Sequence, residues 1–216
     1  MVGDVGKMTG CMGNVVMALR QPNRLVRETV MKMEPFLRKV GYRGPFDINT
    51  IVCKDKLYAL EMSCRFGYDA FEALMEGMQE PVGTFLFEVA VGIKKEMNVT
   101  YDPLIAVRIS RDPYPACAPA QLDESDRGCP ISGLNEENLK HLYLCDVYME
   151  NGKYLYAASD GILMKATAHG RDIREAIRRV YRTVKGVKII DVQYRTDIGA
   201  RCEGDIAKLK EWGWIL

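Results

Sequence analysis

The run Glu61-Met62-Ser63-Cys64-Arg65-Phe66-Gly67-Tyr68-Asp69 gathers two carboxylates, a hydroxyl and a guanidinium in a short span. It continues a stretch in which Leu57, Ala59 and Glu61 alternate with Tyr58, Leu60 and Met62. That period of two predicts a strand over 56–64, in which residues i and i+2 share a face. Glu61 and Ser63 then project together. Phe46 to Cys53 reads as a partner strand and Lys54-Asp55 as the turn, which brings Asp47 near Glu61. Two carboxylates and a hydroxyl on one sheet face make a hard oxygen site. Mg²⁺ takes such oxygens and keeps waters and phosphate oxygens as its other ligands. Arg65, just beyond, has the fork geometry to grip a phosphate. The competing reading of the same residues is a Glu61–Arg65 surface pair on an ordinary hairpin.

A second candidate is the glycine-rich opening, residues 1–18, with Gly3, Gly6, Gly10 and Gly13. Such spacing permits close backbone approach to a ligand, and it equally suits a connector.

Positioning these segments requires the rest of the pattern. Asn23 is placed to cap a helix to about Val40, which Pro35 should kink or divide. Helical periodicity returns over Asp69–Met78 and Val82–Lys95. Residues 103–110 read as a strand and 112–134 as a loop region rich in Pro, Asp, Ser and Gly. A short helix is expected over Asn135–Lys140. Leu142–Tyr148, Tyr154–Ala157 and Gly161–Ala168 read as antiparallel strands joined by Asn151-Gly152, a strong hairpin signal, and by Ser159-Asp160-Gly161. Asp172 should cap an amphipathic helix with Ile173, Ala176, Ile177, Val180, Tyr181 and Val184 on its apolar face. Its arginines, 174, 178, 179 and 182, either bind phosphate or form a solvated face. Lys188–Val192 reads as a last strand and Asp205–Trp212 as a terminal helix. The expected boundary is near 102, giving domains 1–102 and 103–216.

Composition bounds the function classes. Over 216 residues, 30 Lys+Arg oppose 29 Asp+Glu for a net charge of +1. This argues against a nucleic-acid module held by bulk charge. With 48% hydrophobic residues the chain can build a core, and no apolar run approaches membrane-spanning length. The seven cysteines are an odd count with no metal-knuckle or redox spacing. They read as ordinary thiols of a cytoplasmic protein.

Three blocks resemble one family. Gly3-Asp4-Val5-Gly6-Lys7-Met8-Thr9-Gly10-Cys11-Met12-Gly13 is similar to the Gly-Asp-x-Gly-x-x-Thr-Gly-Gly-Met-Gly segment of glycinamide ribonucleotide synthetases, the phosphoribosylamine–glycine ligases of the ATP-grasp superfamily. Glu61 to Gly67 resembles their Glu-x-Asn-x-Arg-Phe-Gly. Residues 166–199, ending in Tyr194-Arg195-Thr196-Asp197-Ile198-Gly199, resemble their C-terminal domain.

The resemblance implies an α+β fold: the C-terminal part of an ATP-grasp fold, an antiparallel sheet with packed helices, followed by a small sheet-and-helix domain. It implies an ATP-dependent ligase that joins glycine to phosphoribosylamine through a glycyl phosphate in purine synthesis, with Mg²⁺ (or Mn²⁺) and ATP, and with no nucleic-acid or membrane partner. Glu61 would be a metal ligand and ATP contact, and Asp47 would complete the oxygen set. Ser63 stands where the family has an asparagine ligand. Arg65 would contact phosphate or the acyl phosphate. Asp69, one place late against the family's Gly-Asp-Pro-Glu, is the acid candidate for catalysis beside it. Thr9, Gly10, Cys11, Met12 and Gly13 would form the substrate loop, with Cys11 in place of a glycine. Arg195 and Asp197 would close the C-terminal domain on the core.

About half of a typical member precedes the resemblance, so the chain is expected to be inactive without an N-terminal, nucleotide-binding half supplied in cis or trans. An apolar surface is expected where that half packs. The alternatives are an ATP-grasp ligase with another substrate and a non-catalytic descendant that only binds.

Overall fold

The computed structural model describes residues 1–19, 23–94, 96–115 and 126–216. Cys117, most of the expected loop's centre and Lys95 lie outside them. In chain order the elements are a 3-10 turn at Val2–Asp4, β1 (Gly13–Val16), α1 (Arg24–Glu28), α2 (Val30–Lys39), β2 (Asp47–Val52), β3 (Leu57–Ser63), α3 (Ala70–Gly77), α4 (Val82–Val91), β4 (Leu104–Arg111), β5 (Pro130–Ile131), a 3-10 turn at Asn138–His141, β6 (Leu142–Leu144), β7 (Val147–Glu150), β8 (Lys153–Tyr156), β9 (Ile162–His169), α5 (Ile173–Gly186), β10 (Val192–Gln193) and α6 (Cys202–Glu211).

These elements form two compact units that interleave along the chain. The first takes residues 1–16, 68–76 and 102–200, the second 17–67, 77–101 and 201–216. One crossing coincides with the expected boundary near 102. The others were not foreseen; the first arises because β1, near the start of the chain, pairs with β4 in its middle, Gly13 opposite Val107 and Val16 opposite Leu104.

The first unit holds most of the core. Its larger sheet is antiparallel in the order β1-β4-β9-β6, with β10 also on β4. The apolar run Leu104-Ile105-Ala106-Val107 makes β4 a central strand, and all eight of its residues are buried. Helix α5 packs its apolar stripe, including Ala176, Val180 and Val184, into that core. The Asp172 side chain accepts from Glu175 N at 2.7 Å, the expected N-cap. A second sheet has the order β5-β8-β7. Its β7–β8 turn has Asn151 at φ 49° and Gly152 at φ 73°, as an Asn-Gly hairpin requires.

Three expectations are corrected here. Leu142–Tyr148 is not one strand. It divides at Cys145-Asp146 into β6 and β7, which join different sheets, because the buried Asp146 carboxylate accepts from Ser159 N, Ser159 Oγ, Asp160 N and Gly161 N. For the same reason Ser159-Asp160-Gly161 is a corner between sheets and not a hairpin turn. Lys188–Val192 forms only a bridge at Lys188 and the short β10.

In the second unit the helix over 23–40 divides at Thr29 and not at Pro35, which sits inside α2. Thr29 Oγ1 donates to Leu25 O at 2.6 Å, so the side chain satisfies the carbonyl that the next helical N–H would have taken. Helix α4 ends at Gly92, whose φ of 82° is the left-handed cap glycine adopts freely. Trp214 is fully buried. Its Nε1 donates to Cys53 O and Lys54 O, its carbonyl accepts from Leu25 N, and the Arg24 guanidinium lies 3.8 Å above its ring. The β2–β3 ribbon contrasts with this. Ile51, Tyr58, Leu60 and Met62 are all more than two-fifths exposed.

Candidate functional site

The hairpin register decides which oxygens meet. Asp47 pairs with Ser63, and Asn49 with Glu61, with a bulge immediately after. Opposite residues of a ladder share a face, and so do i and i+2. Asp47, Asn49, Glu61 and Ser63 therefore form one polar patch. Glu61 is exposed, and its Oε1 accepts from Asn49 Nδ2 at 2.7 Å. Sequence reading placed Asp47 beside Glu61. The direct neighbour is Asn49, and Asp47 is the diagonal one. Asn49 was missed because an amide on an alternating strand carries no signal of its own. Arg65 lies just past β3, exposed, with its guanidinium donating to Phe66 O at 3.0 Å. Among the described residues, no group of three or more His, Cys, Asp or Glu side chains could hold a metal ion. The hairpin's set is two carboxylates with hydroxyl and amide oxygens. That hard-donor chemistry fits Mg²⁺, which retains waters.

In the first unit, residues 9–13 are fixed by β4 and by residues 68–69. Met12 is buried and its carbonyl accepts from Arg108 N at 3.1 Å. Gly13 has φ 135°, and a Cβ there would stand 2.5 Å from Ala106 O. Asn14 Nδ2 donates to Tyr68 O at 2.8 Å, and the Tyr68 ring lies beside Gly10. Cys11 Sγ accepts from Gly13 N at 3.3 Å. Burial, then the nearby Asp69 charge, pushes the Cys11 thiol up to about 11. It is a poor nucleophile at neutral pH.

Asp69 has a different setting from the one expected of an acid in catalysis. Its side chain is fully buried, and both oxygens accept from the Arg108 guanidinium at 2.6 to 3.2 Å. Arg108 also donates to Tyr114 Oη at 2.7 Å. Burial alone would lower the Arg108 pKa, but the Asp69 bonds override it and hold the guanidinium above its usual range. Arg108 and Tyr114 were missed. The available signal was an arginine in the middle of the apolar run Ile105-Ala106-Val107-Arg108-Ile109, because a charge at a central-strand position needs a buried partner.

The Tyr-Arg-x-Asp-Ile-Gly block closes the first unit on its own beginning. Arg195 pairs with Asp197 at 2.6 Å and with Asp4 at 2.8 Å, and Asp197 Oδ2 accepts from Gly3 N at 3.0 Å. The Arg195 bonds hold the Asp197 carboxyl well below the usual carboxylate range.

Comparison with known proteins bears on the whole arrangement. The chain is 25% identical over 214 residues to phosphoribosylamine–glycine ligase from Streptomyces coelicolor, across 94% of this chain and 50% of that protein. It is 28% identical over 214 residues to the trifunctional purine biosynthetic protein adenosine-3 of Gallus gallus, covering 92% of this chain and 20% of that protein. The crystal structure of phosphoribosylamine–glycine ligase from Thermotoga maritima superposes with a TM-score of 0.68 at 24% identity, over 91% of this chain and 48% of that one. The chain is a relative of phosphoribosylamine–glycine ligase. The resemblance read from three sequence blocks is borne out, and so is the α+β, ATP-grasp type of fold. The chain spans about half the length of the phosphoribosylamine–glycine ligases it matches. No family model matches it. Among the described residues no helix is long and apolar enough to cross a membrane.

Proposed function

We propose that the chain supplies part of an ATP-dependent ligase that joins glycine to phosphoribosylamine, with its β2–β3 hairpin as the metal and phosphate side of the site. The observation that carries this reading is the register that puts Asp47, Asn49, Glu61 and Ser63 on one face of an exposed hairpin. Glu61, Asp47 and Ser63 would hold Mg²⁺ or Mn²⁺. The bound ion would supply positive charge against the phosphates of ATP. Arg65 would orient a transferred phosphoryl group. The 9–13 loop would present backbone to the substrate, with Cys11 narrowing the space a glycine leaves in relatives. Asp69 holds Arg108 under that loop, and so positions it without touching substrate.

The reading includes a requirement for the rest of the ligase, in cis or trans. Both faces of β3 are exposed from Tyr58 to Met62, and an isolated two-stranded ribbon is marginal in water. Among the described residues, none covers Leu60 and Met62, which stay more than half exposed. The setting in this reading is cytoplasmic.

The test is glycine-dependent ADP formation from Mg-ATP and fresh phosphoribosylamine. The chain is assayed alone and with the complementary half of a relative. Activity on complementation only, lost in Glu61→Ala with assembly intact, is the expected result. Turnover by the chain alone would overturn the requirement. An assembled but silent complex would overturn the ligase reading.

A further inference from the structure

The chain has two histidines, and both converge on one buried carboxylate. His141 Nδ1 lies 3.0 Å and His169 Nδ1 3.1 Å from Glu76, whose side chain is only 5% exposed. Thr167 Oγ1 donates to the same carboxylate at 2.8 Å. The histidines come from different elements: His141 ends the 3-10 turn and His169 ends β9. All four side chains line a cavity of about 450 Å³ within the first unit, which α5 completes with Arg179, Arg182 and Thr183. None of this belongs to the hairpin or to the 9–13 loop.

An ionised carboxylate only accepts, so each Nδ1 facing Glu76 carries its hydrogen. That fixes both rings. The remaining nitrogen, Nε2, is a lone pair in the neutral ring and a donor in the charged one. One carboxylate compensates one imidazolium, not two. Arg179 is anchored at the rim, donating to His169 O at 3.2 Å and to Glu175 at 2.9 Å. Among the described residues, Arg182 has no ion pair or hydrogen bond from its guanidinium. The acids here are Glu76 and Glu137 on the lining, with Glu175 engaged by Arg171 and Arg179. With both rings protonated, cations outnumber acids around a cavity of small-molecule size.

We propose that this cavity is a binding site for a tetrahedral oxyanion, free or as the phosphoryl group of a small metabolite, and that it fills as His141 and His169 take up protons. Arg182 and the two Nε2–H groups donate to the anion. Glu76 is a positioning residue that sets the rings and does not touch the ligand.

The test uses the full chain and sulfate, whose charge is constant over the range where imidazole titrates. Histidine ring resonances are followed during titration near pH ~6 and ~8. Both histidines should shift, with affinity about tenfold tighter per pH unit for each proton taken up. Arg182→Ala, at an exposed position, should lose binding while folding normally. His141→Gln and His169→Gln should each flatten the pH dependence. At high pH, ring nitrogen shifts should report hydrogen on Nδ1 in both histidines. Titration with ribose 5-phosphate separates the sources: tighter binding than sulfate assigns a phosphorylated metabolite, and equal binding assigns the free anion. The proposal is overturned if sulfate moves neither histidine near pH ~6, if affinity is the same at both pH values, or if either ring carries its hydrogen on Nε2.

Discussion

Asp69 and Arg108 form a two-pronged ion pair sealed from water, with side-chain exposures of 0% and 4%. The pair links the start of α3 to the centre of β4, beneath the loop whose Met12 carbonyl Arg108 N also binds. Removing one partner strands a buried charge. Asp69→Ala or Arg108→Ala should lower unfolding free energy by about 3–5 kcal/mol in urea titrations. The double replacement Asp69→Leu with Arg108→Met should recover a large part of that loss. A single variant within about 0.5 kcal/mol of the parent would contradict the assignment.

Gly13 and Gly3 both have positive φ, yet they should respond differently. A Cβ at Gly13 meets backbone, Ala106 O at 2.5 Å, whereas Gly3 has nothing within 4 Å. Gly13→Ala should cost at least about 2 kcal/mol and Gly3→Ala about 1 kcal/mol. Thermal or urea unfolding of both variants checks the order, and equal losses would show that the close approach is relieved.

The Cys11 thiol gives a pH signature. Its folded pKa, about 11, lies above the ordinary 9.0, so the folded state keeps a proton that the unfolded chain releases. The associated stability is complete below the ordinary value and is lost as pH rises from 9.0 through about 11. Cys11→Ala should show a shallower alkaline decline than the parent. Alkylation at neutral pH should be slower at Cys11 than at the exposed Cys64.

Asp146 works at the other end of the pH scale. Burial would raise its carboxyl, but bonds from Ser159, Asp160 and Gly161 outweigh that and hold it below the usual value. Its contribution is present above the ordinary aspartate pKa and is lost as pH falls through the lower folded one. Asp146→Ala, which leaves those donors unpaired, should cost about 2–4 kcal/mol at neutral pH. The gap from the parent should narrow in acid. A gap that is constant with pH would mean that the carboxylate charge is not what holds the corner.

How far the sequence could be read depended on whether the signal was local. The hairpin, the Asp172 cap and the Asn151-Gly152 turn were legible because each is written in adjacent residues. The oxygen patch was legible for Glu61 and Ser63, which share a strand, and only approximately for Asp47, whose register depends on a bulge. Interleaving was not legible: β1 pairs with a strand some ninety residues away, and four residues carry too little pattern to name a partner. Asp146 and Thr29 redirected elements through side-chain bonds to backbone, which periodicity does not register. The Glu76 cluster was hidden because its members come from a helix, a turn and a strand.

The pairing of β1 with β4 and the seating of Trp214 by Leu25 have a consequence for how the molecule is made. Each compact unit contains residues from both early and late parts of the chain. On a ribosome, the first unit lacks β10 until residue 193 has emerged, and the second lacks its tryptophan until residue 214 has. Neither unit can be completed during most of synthesis, and no single cut separates them. β1 itself has no partner strand until β4, some ninety residues later, has been made.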